Sequence, residues 1–154
     1  MRSPWYFSTG EIDTSKDSWS KQTTIVNGVT MPNKVPLTLP TDSAERKNYP
    51  LLSGCLKYFP AALAAIARVS KLGNDKHNPG MPMHHARGKS ADHGDCILRH
   101  LMDTEDLLAA LQRGEGTPEQ VLLEASQLAW RALAYSQELH EQLAGAPLAP
   151  GAQK

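Results

Sequence analysis

A chain of 154 residues with 16 basic and 16 acidic side chains and no formal net charge has room for one domain, or one domain with an ordered arm, but not for a large core. Its charges are interleaved, which argues against a non-specific nucleic-acid clamp or a membrane-surface helix, so an anionic substrate must be met locally. The N-terminus lacks an apolar run of signal-peptide length, no later stretch reaches the roughly 18 apolar residues of a membrane span, and Cys55 and Cys96 lack CxxC spacing, so the expectation is a soluble cytoplasmic protein with reduced thiols.

From Met1 to about Arg46 there is little helical period and much Ser, Thr, Lys and Pro. The run TTIVNGVTMP can pair as a hairpin about Asn-Gly. With Pro32, Pro36 and Pro40 the segment reads as an extended, mostly irregular arm of residues 1–46, of the kind laid across a neighbouring subunit. The pattern then changes. Leu56, Phe59, Leu63, Ile66, Ala67 and Val69 recur at helical spacings, which predicts a first helix over Leu56–Leu72 with Gly73 as its C-cap. The stretch NDKHNPGMPMHHARGKS, too polar for a core, is expected to be a loop.

Ser90 can cap a second helix with Asp92 in its first turn, running to about Arg113 with a break possible near Asp103 or Thr104. The turn GEGTP leads into a third helix, from Pro118 to about Leu143. Thr117 is its N-cap, Pro118 its first residue and Gln120 the reach-back member of a capping box. Its expected core stripe is Val121, Leu122, Ala125, Leu128, Ala129, Ala132, Leu133 and Leu139, and its polar stripe Glu124, Gln127, Arg131 and Glu138. The fold expected is all-α: a small three-helix bundle over residues 47–144, an N-terminal arm, and a flexible tail over 145–154.

The polar side of the second helix carries the chemistry. Asp92 and Asp95 lie one turn apart, where their carboxylates either share a hard ion such as magnesium or manganese or simply face water, Asp95 pairing with Arg99. Glu124 can join them if the second and third helices pack antiparallel, or it too can be solvated. His93 and His100, seven residues apart, are too distant to bind one ion comfortably. His100 is the better site candidate, because Asp103 one turn on can orient it. HExxH, a His-Asp doublet, a serine-nucleophile motif, a Walker loop and a Rossmann fingerprint are all absent, which argues against zincins, HD phosphohydrolases and covalent catalysis. The loop residues Lys76, His77, Asn78, His84, His85, Arg87 and Lys89 form a cationic, hydrogen-bonding cluster beside the acidic helix. That is either a solvated surface or the pairing of cations and carboxylates that phosphoryl chemistry needs.

Taken in order, PLLSGCLKYFPAALAAIARVSKLGNDKHNPG, HHARGKSADHGDCILRHLMD and AWRALA resemble a phage and bacterial family described as dATP/dGTP diphosphohydrolase N-terminal domain proteins, over about Arg46 to Glu138. The family is related to the MazG-like all-α nucleotide pyrophosphohydrolases. The resemblance implies a homo-oligomer, dimer or tetramer, that cuts a purine deoxynucleoside triphosphate to monophosphate and pyrophosphate with Mg2+ or Mn2+. It would act in the cytoplasm, the host's if phage-encoded. Asp92, His93, Asp95, Arg99 and His100 stand at the DHxDCxxRH string, and Lys76, His77, Asn78, Arg87 and Lys89 at the loop string. Glu124 stands where many members have histidine, and Ala64 and Ala65 where wider relatives carry glutamate. The mechanism implied has Asp92, Asp95 and Glu124 holding the metal, with Asp95 and His100 catalytic. Lys76, Arg87 and Lys89 meet the phosphates, and His77, Asn78, His85 and Arg99 complete the substrate contacts. The alternative is a non-catalytic helical module that binds nucleotide or mediates assembly.

Overall fold

The computed structural model describes residues 24–26, 29–31, 38–85, 87 and 91–148. The chain divides into two units, Met1–Pro36 and Leu37–Lys154. In the first, β1 (Thr24–Val26) and β2 (Val29–Met31) pair antiparallel with Val26 opposite Val29, the hairpin expected. Its two turn residues, like Trp5, Trp19, Lys89, the Ser90 cap and the end of the tail, lie outside the described residues.

The second unit opens with one helical turn, α1 (Ser43–Arg46), inside the segment expected to be irregular. Asp42 caps it by accepting from the amides of Ala44 and Glu45 at 2.9 and 2.8 Å. A π-helical turn at Leu52–Leu56 follows, and then α2 (Pro60–His77). The first long helix therefore begins four residues later than expected and ends five later. Pro60 explains the start. It has no N–H to give and its ring excludes the carbonyl four residues before it, so it can stand only in the first turn.

At the other end Gly73 is an interior helical residue, and Asn74 explains why the helix continues. Its side chain is buried, donates to the Met81 carbonyl at 3.1 Å and accepts from the His84 amide at 3.4 Å. One more turn of α2 thus satisfies the returning loop. Residues 74–77, expected in the loop, are helix, and one of them is interior.

α3 (His93–Gln112) is continuous, with no break at Asp103 or Thr104; Thr104 instead bonds its hydroxyl back to the His100 carbonyl at 2.6 Å. Asp92, expected in the first turn, is the N-cap residue of α3, so the helix begins two residues later than a Ser90 cap would place it. The turn to α4 (Pro118–Leu143) places Gly114 and Gly116 at positive φ, conformations that admit few other residues. Thr117 and Gln120 form the expected capping box, with the Thr117 amide donating to Gln120 Oε1 at 2.9 Å.

α2 and α3 each pack principally on α4, and α4 meets them in an unexpected orientation. Of its expected core stripe, Val121, Ala125, Leu128, Ala129 and Leu139 are half-buried, whereas Leu122 and Leu133 are 65 and 55% exposed and Ala132 is also exposed. Its polar stripe turns inward: Glu124, Gln127 and Arg131 are half-buried and Glu138 is only 7% exposed. Apolar residues occupy two arcs of α4, and two neighbouring helices can cover only one. Among the described residues the fully interior positions are Cys96 and Ala134 with three polar side chains, Asn74, His93 and Glu138. Hydrogen-bonded polar groups at the helix contacts therefore do much of what an aliphatic core does elsewhere.

Replacing Asn74 by Ala leaves the Met81 carbonyl and His84 amide without their partner. The expected loss is about 2 kcal/mol of unfolding free energy by urea titration, with faster amide exchange at His84.

Candidate functional site

The inner stripe of α4 organises the site, because residues seven apart on a helix return to nearly the same face. Glu124, Arg131 and Glu138 are so spaced, with Gln127 between the first two. At the Glu124 end, His100 Nδ1 lies 2.8 Å from Glu124 Oε2 and Gln127 Nε2 donates to Glu124 Oε1 at 3.2 Å. Asp103, one turn beyond His100, completes a group in which one ligand atom from each of His100, Asp103 and Glu124 lies within 4.8 Å of the others. Asp103, Asp106, Leu107 and Glu124 line an open recess of about 360 Å3 there.

A larger cavity of about 450 Å3 adjoins this group, with His100 and Gln127 in its wall. α2 contributes Gly73, His77 and, at its C-cap, Asn78; the loop contributes His84 and His85; α4 contributes Trp130, Arg131 and Glu138. A Cβ built on Gly73 would meet no atom within 4 Å. A residue that weakens a helix interior thus leaves bare backbone in the cavity wall.

At the far end the Glu138 carboxylate lies between two imidazoles, 3.2 Å from His93 Nε2 and 3.7 Å from His85 Nε2. His93 stacks on Tyr135 with ring centres 5.1 Å apart, and His85 meets Trp130 edge-on at 4.9 Å. Nδ1 of His93 is buried and has no hydrogen-bond partner among the described residues. Arg87 holds the loop to α4 through a two-pronged bond to Glu141, 2.7 Å on each oxygen, and its Nη1 also reaches His85 Nδ1. The bond to Glu141 raises the Arg87 pKa, while burial, aided by the Arg87 charge, lowers that of His85 below its ordinary 6.5.

The expected metal set is not gathered. Glu124 stands with His100 and Asp103, while Asp92 and Asp95 are exposed near the other end of α3. Asp92 Oδ2 accepts from the Cys96 thiol at 3.4 Å. The reason is helical register. In an antiparallel pair joined by a short turn, a residue near the start of α4 faces the second half of α3, and Asp95 lies eight residues, about 12 Å, back along the axis from Asp103.

Of the expected substrate contacts, His77, Asn78 and His85 line the cavity. Lys76 is exposed and away from it, Arg87 is committed to Glu141, and Arg99 is exposed with its Nη1 3.9 Å from the Cys96 sulfur. Glu138, Arg131, Gln127 and Gly73 were not among the expected site residues. For Glu138, Arg131 and Gln127 the signal was the polar stripe of α4 itself, at helical spacing opposite a helix rich in His and Asp; Gly73 carried none, since it reads locally as a helix terminator.

No family model, no curated protein and no solved structure matches this chain.

The lowered His85 pKa sets a pH dependence. Below about pH 6.5 the unfolded chain binds a proton that the folded chain resists, so stability is complete above that value and declines as pH falls through the folded pKa. The thermal midpoint is expected to drop as pH falls from about 7.5 to about 5.5, and the His85→Asn protein to show a shallower drop, measured by circular dichroism.

Proposed function

We propose that the protein is a metal-dependent diphosphohydrolase that converts a purine deoxynucleoside triphosphate, of the dATP/dGTP class, to the monophosphate and pyrophosphate. The observation that carries this reading is the His100–Asp103–Glu124 group opening beside a nucleotide-sized cavity. Two carboxylates and one imidazole suit Mn2+, and with less preference Mg2+, since the carboxylates are hard oxygen donors and the imidazole favours a transition metal. When bound, such an ion supplies Lewis-acid polarisation of a phosphoryl oxygen and lowers the pKa of an attacking water.

The chain's own residues do the rest. Gln127 bonds Glu124 and fixes the direction of its carboxylate, and the Thr104 bond to the His100 carbonyl firms the turn that carries His100 and Asp103. His77, Asn78 and His85 offer hydrogen bonds around the nucleoside part of the substrate, and the bare backbone at Gly73 gives it room.

A homo-oligomer, dimer or tetramer, belongs to the same proposal. Leu98, Leu101 and Met102 on α3 and Leu122 and Leu133 on α4 are exposed, and apolar faces of this extent mark contact surfaces. Light scattering should return at least twice the 16.8 kDa chain mass. No helix among the described residues is long and apolar enough to cross a membrane, and the free Cys55 and Cys96 support a reducing cytoplasm as the place of action.

Purified protein with Mn2+ and dGTP or dATP is expected to release pyrophosphate. Glu124→Gln and Asp103→Asn should each lower kcat/KM by more than about 100-fold, while Asp95→Ala stays near the parent. Release of orthophosphate or of intact triphosphate defeats the reaction proposed. Thermal stabilisation by Mn2+ and nucleotide without turnover would identify a binding module instead.

Gly73→Ala separates stability from use of the cavity. It should raise unfolding free energy by up to about 1 kcal/mol through helix propensity while increasing KM, both readable on one preparation.

A further inference from the structure

We infer that Arg131 is the residue that grips the oligophosphate chain of the ligand, between the His100–Asp103–Glu124 group and the nucleoside end of the cavity. The inference rests on the triphosphate reading above and assigns to α4 a binding role that the loop cations were expected to fill.

Several charges near the cavity are already committed. Arg87 is locked two-pronged to Glu141, and Lys71 is paired with Asp75 at 2.6 Å. Lys76 is exposed and does not line the cavity. Arg131 does line it, is half-buried, and has no carboxylate partner among the described residues. Its guanidinium carbon lies 5.5 Å from the centre of the Trp130 ring. An aromatic face steadies a guanidinium without neutralising it or consuming its N–H donors. A partly desolvated cation held this way retains its fork for a planar pair of anionic oxygens.

Register supplies the second argument. Arg131 is two turns, about 10 Å, from Glu124 along α4 and the same distance from Glu138 on the other side. The buried Glu138 carboxylate repels phosphate from the far end. Among the described residues lining the cavity, Arg131 is the guanidinium or ammonium available to a phosphate chain, beside a cation held by the acidic group, and this orients the nucleoside toward Asn78 and His85.

The test uses inorganic tripolyphosphate with Mn2+ and the full-length chain, by calorimetry. Arg131→Gln is expected to raise Kd at least tenfold and Arg131→Lys to raise it less, because lysine keeps the charge but not the fork. Unchanged affinity in Arg131→Gln overturns the inference even if the parent protein releases pyrophosphate from dGTP. Conversely, absent turnover with Arg131-dependent tripolyphosphate binding sinks the enzymatic reading and leaves this site standing. A second measurement keeps Arg131 in place and so does not depend on how its substitutions fold. In a Trp5→Phe, Trp19→Phe background, saturating tripolyphosphate should shift Trp130 emission as the guanidinium turns toward the anion, and an unmoved spectrum also overturns the proposal.

Discussion

The Glu138 carboxylate, buried between an imidazole of α3 and one from the loop, is the contact on which the rest of the arrangement depends. Through His93 it fixes the start of α3 against the end of α4, and through His85 it draws the loop over the cavity. The Arg87–Glu141 bond, one turn further along α4, repeats that attachment with full charges. Removing one member of such a buried polar set is costlier than any single bond suggests, because the remaining members keep their desolvation cost without their partners. The cavity is thus walled by groups whose hydrogen-bonding needs hold the segments together.

This interior explains why some of the architecture could be read from the sequence and some could not. α4 was legible to the residue, because Thr117, Pro118 and Gln120 are local signals that act on the backbone within one turn. So was the predominantly helical character, and so was the pairing of the short strands around Asn-Gly. The limits of α2 were not, because Gly73 reads locally as a terminator while the reason to continue is a bond from Asn74 to residues seven and ten positions away. The orientation of α4 was hidden for a related reason. A helix with two apolar arcs does not declare which one its neighbours will cover, and here the polar stripe between them faces inward.

The candidate site was legible in its components and not in its grouping. His100 and Glu124 were identified from residue type, and they meet at 2.8 Å. Asp92 and Asp95 were joined to them by a helical-face argument that ignored axial distance. Counting residues from the Arg113–Thr117 turn would have matched Glu124 to the second half of α3, where Asp103 stands. Arg131 escaped notice because an arginine within LAWRAL looks like the solvent edge of an amphipathic helix, and only the inward turn of that stripe brings it to the cavity.

The link between Asp103 and Glu124 is a gauge. It consists of the last turns of α3, a tight connection with two left-handed glycines, and the opening of α4, all without slack. Substitutions on its outer side leave the spacing untouched. One residue added within the opening turns of α4 would swing Glu124 through about 100° and lift it about 1.5 Å, so both rods would persist while the carboxylate pointed elsewhere. Drift in this stretch should therefore take the form of altered letters at fixed length, with changes in length relegated to the ends of the chain.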